Sequence, residues 1–330
     1  MARTKNMLVV LVMLAALAGC AAQPFEVPVI STSGDLPALE GESGGGMTLA
    51  DLLAIPPQTP LALYTQEGGI VATSAEAQVK ARRGELTYQG QALLGIVQDP
   101  PSFYTTAAYS WALEQVEGGE RALVILIDGL GYGVYSRALA EGIIPNLAQG
   151  EGEVALAVYR PVTNAGLAAI VTGQTPDKSG IHDRSNRQPQ TPDILGILAG
   201  KGRRGILVEG AINILDLDGE VSLNSDMNGD GFSDDEIHAS ALARIREGYD
   251  YMLVHYHSLD DAGHDYGPWA SEAQERLAVL DQYVGELLAA WPGPVLVVAD
   301  HGMHATADGG SHGDFCHEDM LVPLITFPGR

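Results

Sequence analysis

The run Ala122–Ile127 (A-L-V-I-L-I) contains no polar side chain, and no other stretch limits the fold so strongly. A strand with one wet face alternates, so a run without alternation must be covered on both faces, the condition of a central strand in a mostly parallel sheet. It stops at Asp128-Gly129. Tyr251–His257 and Val295–Ala299 read as further strands, the second ending at Asp300, with shorter ones at Gly205–Val208 and Leu321–Phe327. Tyr132–Glu141, Asp193–Gly200, Asp235–Glu247 and the amphipathic Ser271–Trp291 read as helices between them. Strands alternating with helices predict an α/β domain with a mostly parallel central sheet flanked by helices on both faces. Ligands of such sheets bind beyond the carboxyl ends of the strands, where Asp128, Thr163, Asp260 and Asp300 all fall.

Thr163 lies in the stretch Y-R-P-V-T-N-A-G-L-A-A-I-V-T-G, Tyr159–Gly173. Val154–Tyr159 alternates like a strand, Pro161 breaks it, and Asn164–Val171 is a compact run suited to a buried helix. At such a junction backbone N–H groups and the positive end of a helix dipole favour an anion, and a hydroxyl beside it is placed to attack. An N-cap threonine has the same local signature. What points to chemistry is the company: Asp260 with His264 four positions on, Asp300 beside His301, and His312 between glycine-flanked positions in G-S-H-G. With Asp128 these make three carboxylates and three imidazoles, a mixed O/N set that suits zinc or a similar divalent ion and suffices for two.

The motifs V-I-L-I-D-G at Asp128, P-V-T-N with T-G at Thr172-Gly173, D-x-x-G-H-x-Y-G-P from Asp260 to Pro268, A-D-H-G-M from Ala299 to Met303, and G-S-H-G around His312 resemble the alkaline phosphatase superfamily. The closest resemblance is to its nucleotide pyrophosphatase/phosphodiesterase branch, from about Arg121 to the C-terminus. It implies a threonine nucleophile at Thr163, one metal site from Asp128, Asp300 and His301 with the Thr163 oxygen facing it, and a second from Asp260, His264 and His312. It further implies two divalent ions, zinc first with manganese or iron as alternatives, and a small phosphorylated substrate. The chain departs from the branch at Arg184, where the branch has an asparagine on a phosphoryl oxygen. Asn164 and Asn186 are candidates for that role, while an arginine fork at Arg184 suits a more highly charged phosphoryl group. The expected activity is therefore phosphodiesterase or nucleotide pyrophosphatase, with phosphomonoesterase or phosphonate hydrolase as the alternative. A lipoprotein that binds metal or ligand without turnover is the rival from another class. A sulfatase is disfavoured, because Ala165 and Leu167 replace the proline and arginine that its nucleophile motif needs.

Arg3 and Lys5 precede an apolar stretch closing in Leu17-Ala18-Gly19-Cys20, which reads as a signal peptide over residues 1–19. The cysteine makes it resemble a bacterial lipobox, with lipid on Cys20, and predicts an exported protein anchored to a membrane. That leaves Cys316 unpaired. Residues 20–60, rich in Pro, Gly, Ser and acids, read as a flexible tether. Residues 61–330 read as the hydrolase domain, with 61–120 as an edge or cap segment. The 42 acidic against 18 basic residues give a formal charge of −24, a surface that repels polyanions and argues against nucleic acid as a partner.

Asp226, Asn228, Asp230 and Asp234 stand at the first, third, fifth and ninth places of a loop with Gly231 at the sixth. That spacing predicts a calcium loop, although Ile237 fills the twelfth place, where an EF-hand keeps a glutamate. An acidic turn capping the following helix is the competing reading. His255 and His257 share a face of their strand and fit a supporting role for one of them. Tyr132 and Tyr266 are candidates for the pocket wall, and Cys316 is close enough in sequence to His312 to reach the metals.

Overall fold

Two sheets of eight strands each organise the chain. The computed structural model describes residues 24–42 and 44–329, so the expected signal peptide and Cys20 lie outside the described residues. The central sheet runs Glu220–Leu223, Gly205–Glu209, Tyr251–Tyr256, Ala122–Ile127, Val295–Val298, Leu321–Phe327, Glu151–Leu156 and Phe103–Tyr104. The first five are parallel neighbours. Leu321–Phe327 is antiparallel to both of its partners, so Glu151–Leu156 beyond it points the same way as the first five. Every residue of Ala122–Ile127 and Tyr251–Tyr256 is buried, as a non-alternating run requires. Helix Ala107–Glu117 packs on that sheet and on helix Thr163–Thr172, while helices Asp234–Ile245 and Ser271–Ala290 form a second group against Tyr251–Tyr256. The α/β expectation therefore holds, and strand and helix bounds fall within a few residues of those read from the sequence.

The tether expectation does not hold for the described residues before 61. Phe25–Ser31, Gly34–Gly41 and Gly44–Thr48 are strands, and with Pro60–Thr65, Ile70–Ser74, Gln78–Arg82, Glu85–Tyr88 and Gln91–Gln98 they build the second sheet. Phe25, Val27 and Val29 alternate inward onto their own core with Leu49, Leu63, Val79 and Ile96. Gly34–Gly41 buries one residue out of eight, so its Pro, Gly and acids give it the composition of a loop while its backbone groups pair with Phe25–Ser31. The 61–120 segment supplies most of this sheet and also the helix Ala107–Glu117.

The second sheet is docked rather than loose. Ile30, Ala62, Tyr64 and Val97 share a cluster with Leu156, Met320 and Leu321 of the central unit. Tyr64 donates its hydroxyl to Ala157 O at 2.8 Å, and its ring meets Phe315 edge-on at 5.1 Å. Among the described residues no helix is long and apolar enough to cross a membrane.

Candidate metal centre and active site

Asp128, Asp300 and Glu209 follow or end adjacent parallel strands, and His257 and Asp260 follow the strand Tyr251–Tyr256 that lies among them. Their side chains meet at one edge of the sheet. Asp260 belongs to the first turn of helix Ser258–Tyr266 rather than to a strand end, and His264 stands one turn further along the same helix. Asp234 fixes the start of that helix, its carboxylate accepting from His257 N at 2.9 Å and Ser258 N at 3.0 Å.

Three imidazoles are oriented through Nδ1. His301 Nδ1 donates to Gly302 O at 3.0 Å, His312 Nδ1 to Pro161 O at 3.0 Å, and His264 Nδ1 to Gly310 O at 3.1 Å. A carbonyl can only accept, so in each ring Nδ1 carries hydrogen and Nε2 is left to face the site. His301 Nε2 lies 3.2 Å from Asp128 Oδ1 and 3.4 Å from Asp300 Oδ2. Asp260 faces His264 Nε2 at 3.3 Å through one oxygen and His312 Nε2 at 3.8 Å through the other. Asp128 Oδ1, Asp260 Oδ1 and Asp300 Oδ2 are buried and accept no hydrogen bond. Imidazole Nε2 atoms opposite orphaned carboxylate oxygens fit divalent cations, which would displace any hydrogen there, and rings oriented by carbonyls at the far nitrogen are what such ligands need.

The charges bear on one another. Burial works against an ionised Asp128, yet the imidazoles of His255, His257 and His301 close around it hold it well below the usual carboxylate range. Burial, followed by the neighbouring Asp128, pushes Asp300 up to about 7. Burial also opposes a charged His301, but Asp300 and Asp128 raise it to about 10. The Asp260 hydrogen bond raises His264 to about 9, whereas burial and then His301 lower His312. Its ring stacks on that of His301 at 3.8 Å.

Thr163 opens the helix Thr163–Thr172, behind the extended Val162. Its Oγ1 is 3.4 Å from His301 Nε2, on the wall of a cavity of about 450 Å³ that Asp128, Asn164, Arg184, His257 and Asp260 also line. Gly166, one turn on, lets this helix approach Asp300: an added Cβ would stand 2.5 Å from Asp300 Cβ. Asn164 donates to Ile214 O at 3.3 Å and stays in the wall, whereas Asn186 holds Gly180 O and is not among the lining residues. Arg184 is exposed at the rim beside Arg187, whose guanidinium is engaged by Asn213 O and Asp216.

Several sequence expectations fall elsewhere. Asp234, expected in the calcium loop, directs its carboxylate to the start of helix Ser258–Tyr266. Asp226 accepts from Gly229 N and Gly231 N, Asn228 from Asp230 N, and Asp230 from Phe232 N, so these side chains order the turns of their own loop. Cys316 lies 3.9 Å from His304 Nδ1 and groups with His304 and Asp319 rather than with His312. Tyr132 lines a second cavity with Trp269 and Glu318, and Tyr266 is 56 % exposed. What the sequence reading missed is Glu209, fully buried and bonded to both His255 and His257. The signal was present: an apolar strand ending in Glu209-Gly210 repeats the Asp128-Gly129 pattern.

A central sheet with its carboxylates and imidazoles at the carboxyl edge is the alkaline phosphatase-like architecture. A solved 2-O GAG sulfatase shares it at TM-score 0.50 and 15 % identity, over 64 % of each chain. Within that class, residues 210–323 match the family model of type I phosphodiesterase / nucleotide pyrophosphatase. Phosphonoacetate hydrolase from Sinorhizobium meliloti, solved with phosphonoformate, is similar at TM-score 0.46 and 20 % identity over 56 % of each chain. GPI ethanolamine phosphate transferase 1 of Yarrowia lipolytica is 28 % identical over 96 residues, 26 % of this chain and 10 % of that protein. The chain thus spans about a tenth of that curated relative and just over half of the solved hydrolase.

Proposed function

We propose that this chain is a hydrolase that transfers a phosphoryl group from an ester or pyrophosphate to Thr163 and then to water, with two divalent cations. The observation that carries the reading is the placement of Thr163 Oγ1, 3.4 Å from His301 Nε2 at a helix N-terminus, among orphaned carboxylate oxygens. Asp128, Asp300 and His301 would hold one ion and Asp260, His264 and His312 the other. Zinc suits this donor set, and manganese or iron are alternatives. When bound, the ions would supply Lewis acidity at the attacking and leaving oxygens and favour loss of the hydroxyl proton.

The chain's own groups do the rest. The Thr163 oxygen attacks phosphorus, its bond to phosphorus forms as the ester oxygen departs in line, and water later releases the phosphoryl group. The N–H groups at the start of helix Thr163–Thr172 would favour the anion, and Asn164 in the cavity wall would orient a phosphoryl oxygen. Arg184 at the rim favours a second reading in which the substrate is a monoester or phosphonate, because a guanidinium fork suits extra negative charge.

Hydrolysis of p-nitrophenyl phosphate, bis-p-nitrophenyl phosphate and p-nitrophenyl thymidine monophosphate in zinc or manganese tests both readings. Diester cleavage that Thr163→Ala abolishes is expected; a monoester preference lost with Arg184→Ala gives the second reading; activity surviving Thr163→Ala overturns the nucleophile. We further propose export and lipid attachment at Cys20, supported by the leader sequence. Detergent-phase partition of the full chain, lost in Cys20→Ser, is the expected result.

A further inference from the structure

Glu209, His255, His257 and Asp128 form a buried cluster that the two-ion reading leaves unexplained. Glu209 ends strand Gly205–Glu209 and is fully buried. One of its oxygens meets His255 Nδ1 at 3.0 Å, and the other meets His257 Nε2 at 2.5 Å and accepts from Gly210 N at 2.8 Å. An ionised carboxylate only accepts, so both imidazoles donate from those nitrogens. Their remaining nitrogens, His255 Nε2 and His257 Nδ1, then face a single atom: each is 3.4 Å from Asp128 Oδ2. His255 is fully buried and its Nε2 makes no hydrogen bond. Two imidazole nitrogens converging on one carboxylate oxygen, with a second carboxylate orienting both rings from behind, is the arrangement that surrounds a metal ion.

We propose a third divalent cation site, separate from the catalytic pair, held by Asp128 Oδ2, His255 Nε2 and His257 Nδ1 and oriented by Glu209. Asp128, His255 and His257 offer donor atoms within 4.8 Å of one another, and the two 3.4 Å separations from Asp128 Oδ2 are those of ligands about 2.1 Å from one tetrahedral ion. Two imidazoles with one carboxylate select zinc, manganese, iron or a similar transition ion over calcium or magnesium. Asp128 turns its other oxygen toward His301 and Asp300, so it bridges the new site and the first catalytic one. Asp128 and His257 both reach the cavity wall, which leaves the remaining coordination positions open to water or to a substrate oxygen.

The inference goes beyond the hydrolase reading and does not need turnover. Metal content after equilibration with zinc and gel filtration is the test, read by mass spectrometry of the intact folded protein. The wild-type chain should retain three equivalents. Glu209→Gln and His257→Ala, the latter at the partly exposed end of the cluster, should each retain two. Asp260→Ala should lose an equivalent from the catalytic pair while an added Glu209→Gln removes one more, so that the losses add. Two equivalents in the wild type, or three in His257→Ala with native circular dichroism, would overturn the site and leave the imidazoles as protonated bridges between the carboxylates. Loss of Thr163-dependent hydrolysis with three ions retained would sink the functional reading and leave this one standing.

Discussion

Gly166→Ala adds one methyl group where helix Thr163–Thr172 crosses Asp300. The new Cβ would stand 2.5 Å from Asp300 Cβ, 2.7 Å from its carbonyl oxygen and 2.9 Å from its Cα. Carbon atoms rest about 3.5–4.0 Å apart, so one side must retreat by about 1 Å. If the strand end yields, Asp300 moves; if the helix yields, Thr163 moves. The spacing between nucleophile and ligand changes either way. A misplacement of about 1 Å costs roughly 100-fold in rate. Stability tells a milder story: overpacking costs about 1–3 kcal/mol, and alanine regains up to about 1 kcal/mol of helix propensity over glycine. The net loss is about 0–2 kcal/mol, a Tm decrease of no more than about 8 °C in a chain of this size. Gly133→Ala is the control, because nothing lies within 4 Å of its added Cβ and it sits on the second cavity. The assay is kcat/KM for bis-p-nitrophenyl phosphate beside a thermal melt. The control should keep its rate, and Gly166→Ala should lose about two decades while still folded. Full activity in a folded Gly166→Ala protein would show that the placement of Asp300 against Thr163 does not govern the chemistry.

Metal removal should reverse the pH dependence of stability. In the metal-free protein His301 and His255 are raised to about 10 and about 9, above their unfolded value of 6.5, so the stability they confer is complete below pH 6.5 and lost as pH rises through the folded values. Each fully buried ring contributes a slope on the order of 1.4 kcal/mol per pH unit there. The urea midpoint of chelator-treated protein should therefore fall from pH 7 to pH 9, while zinc-saturated protein, whose imidazoles must be neutral, should hold or rise; a flat metal-free curve would contradict the charge arrangement. Asp234→Ala strands the buried N–H groups of His257 and Ser258 at about 1–3 kcal/mol, readable in urea unfolding. It should also weaken zinc binding by the helix that carries Asp260 and His264, and unchanged affinity would detach that cap from the site.

The sequence exposed the central sheet because full burial removes alternation: Ala122–Ile127 could be nothing but a covered strand, and the acids after such strands mark the binding edge. The six expected metal-ligand side chains and Thr163 meet at that edge for the same reason. The second sheet was hidden because strands such as Gly34–Gly41 bury almost nothing, and their stability comes from backbone pairing that leaves no trace in composition. Asp234 showed a loop-ligand spacing, but its carboxylate went to two N–H groups of a helix 23 and 24 residues away, a choice that only tertiary packing makes. The role of His255 and His257 depended on Glu209, on the neighbouring strand, and no local pattern links positions 46 and 48 residues apart.

The strand Phe25–Ser31 starts five residues after Cys20, the position proposed for the lipid. Five residues extend at most about 18 Å, against roughly 140 Å for a leash of forty. With the second sheet docked on the central unit through Tyr64 and Ala157, a lipid at Cys20, as proposed above, would hold the whole folded unit on a short leash at the bilayer. Such an enzyme would meet substrates delivered to the membrane surface, or embedded in it, far more often than those dispersed in the bulk.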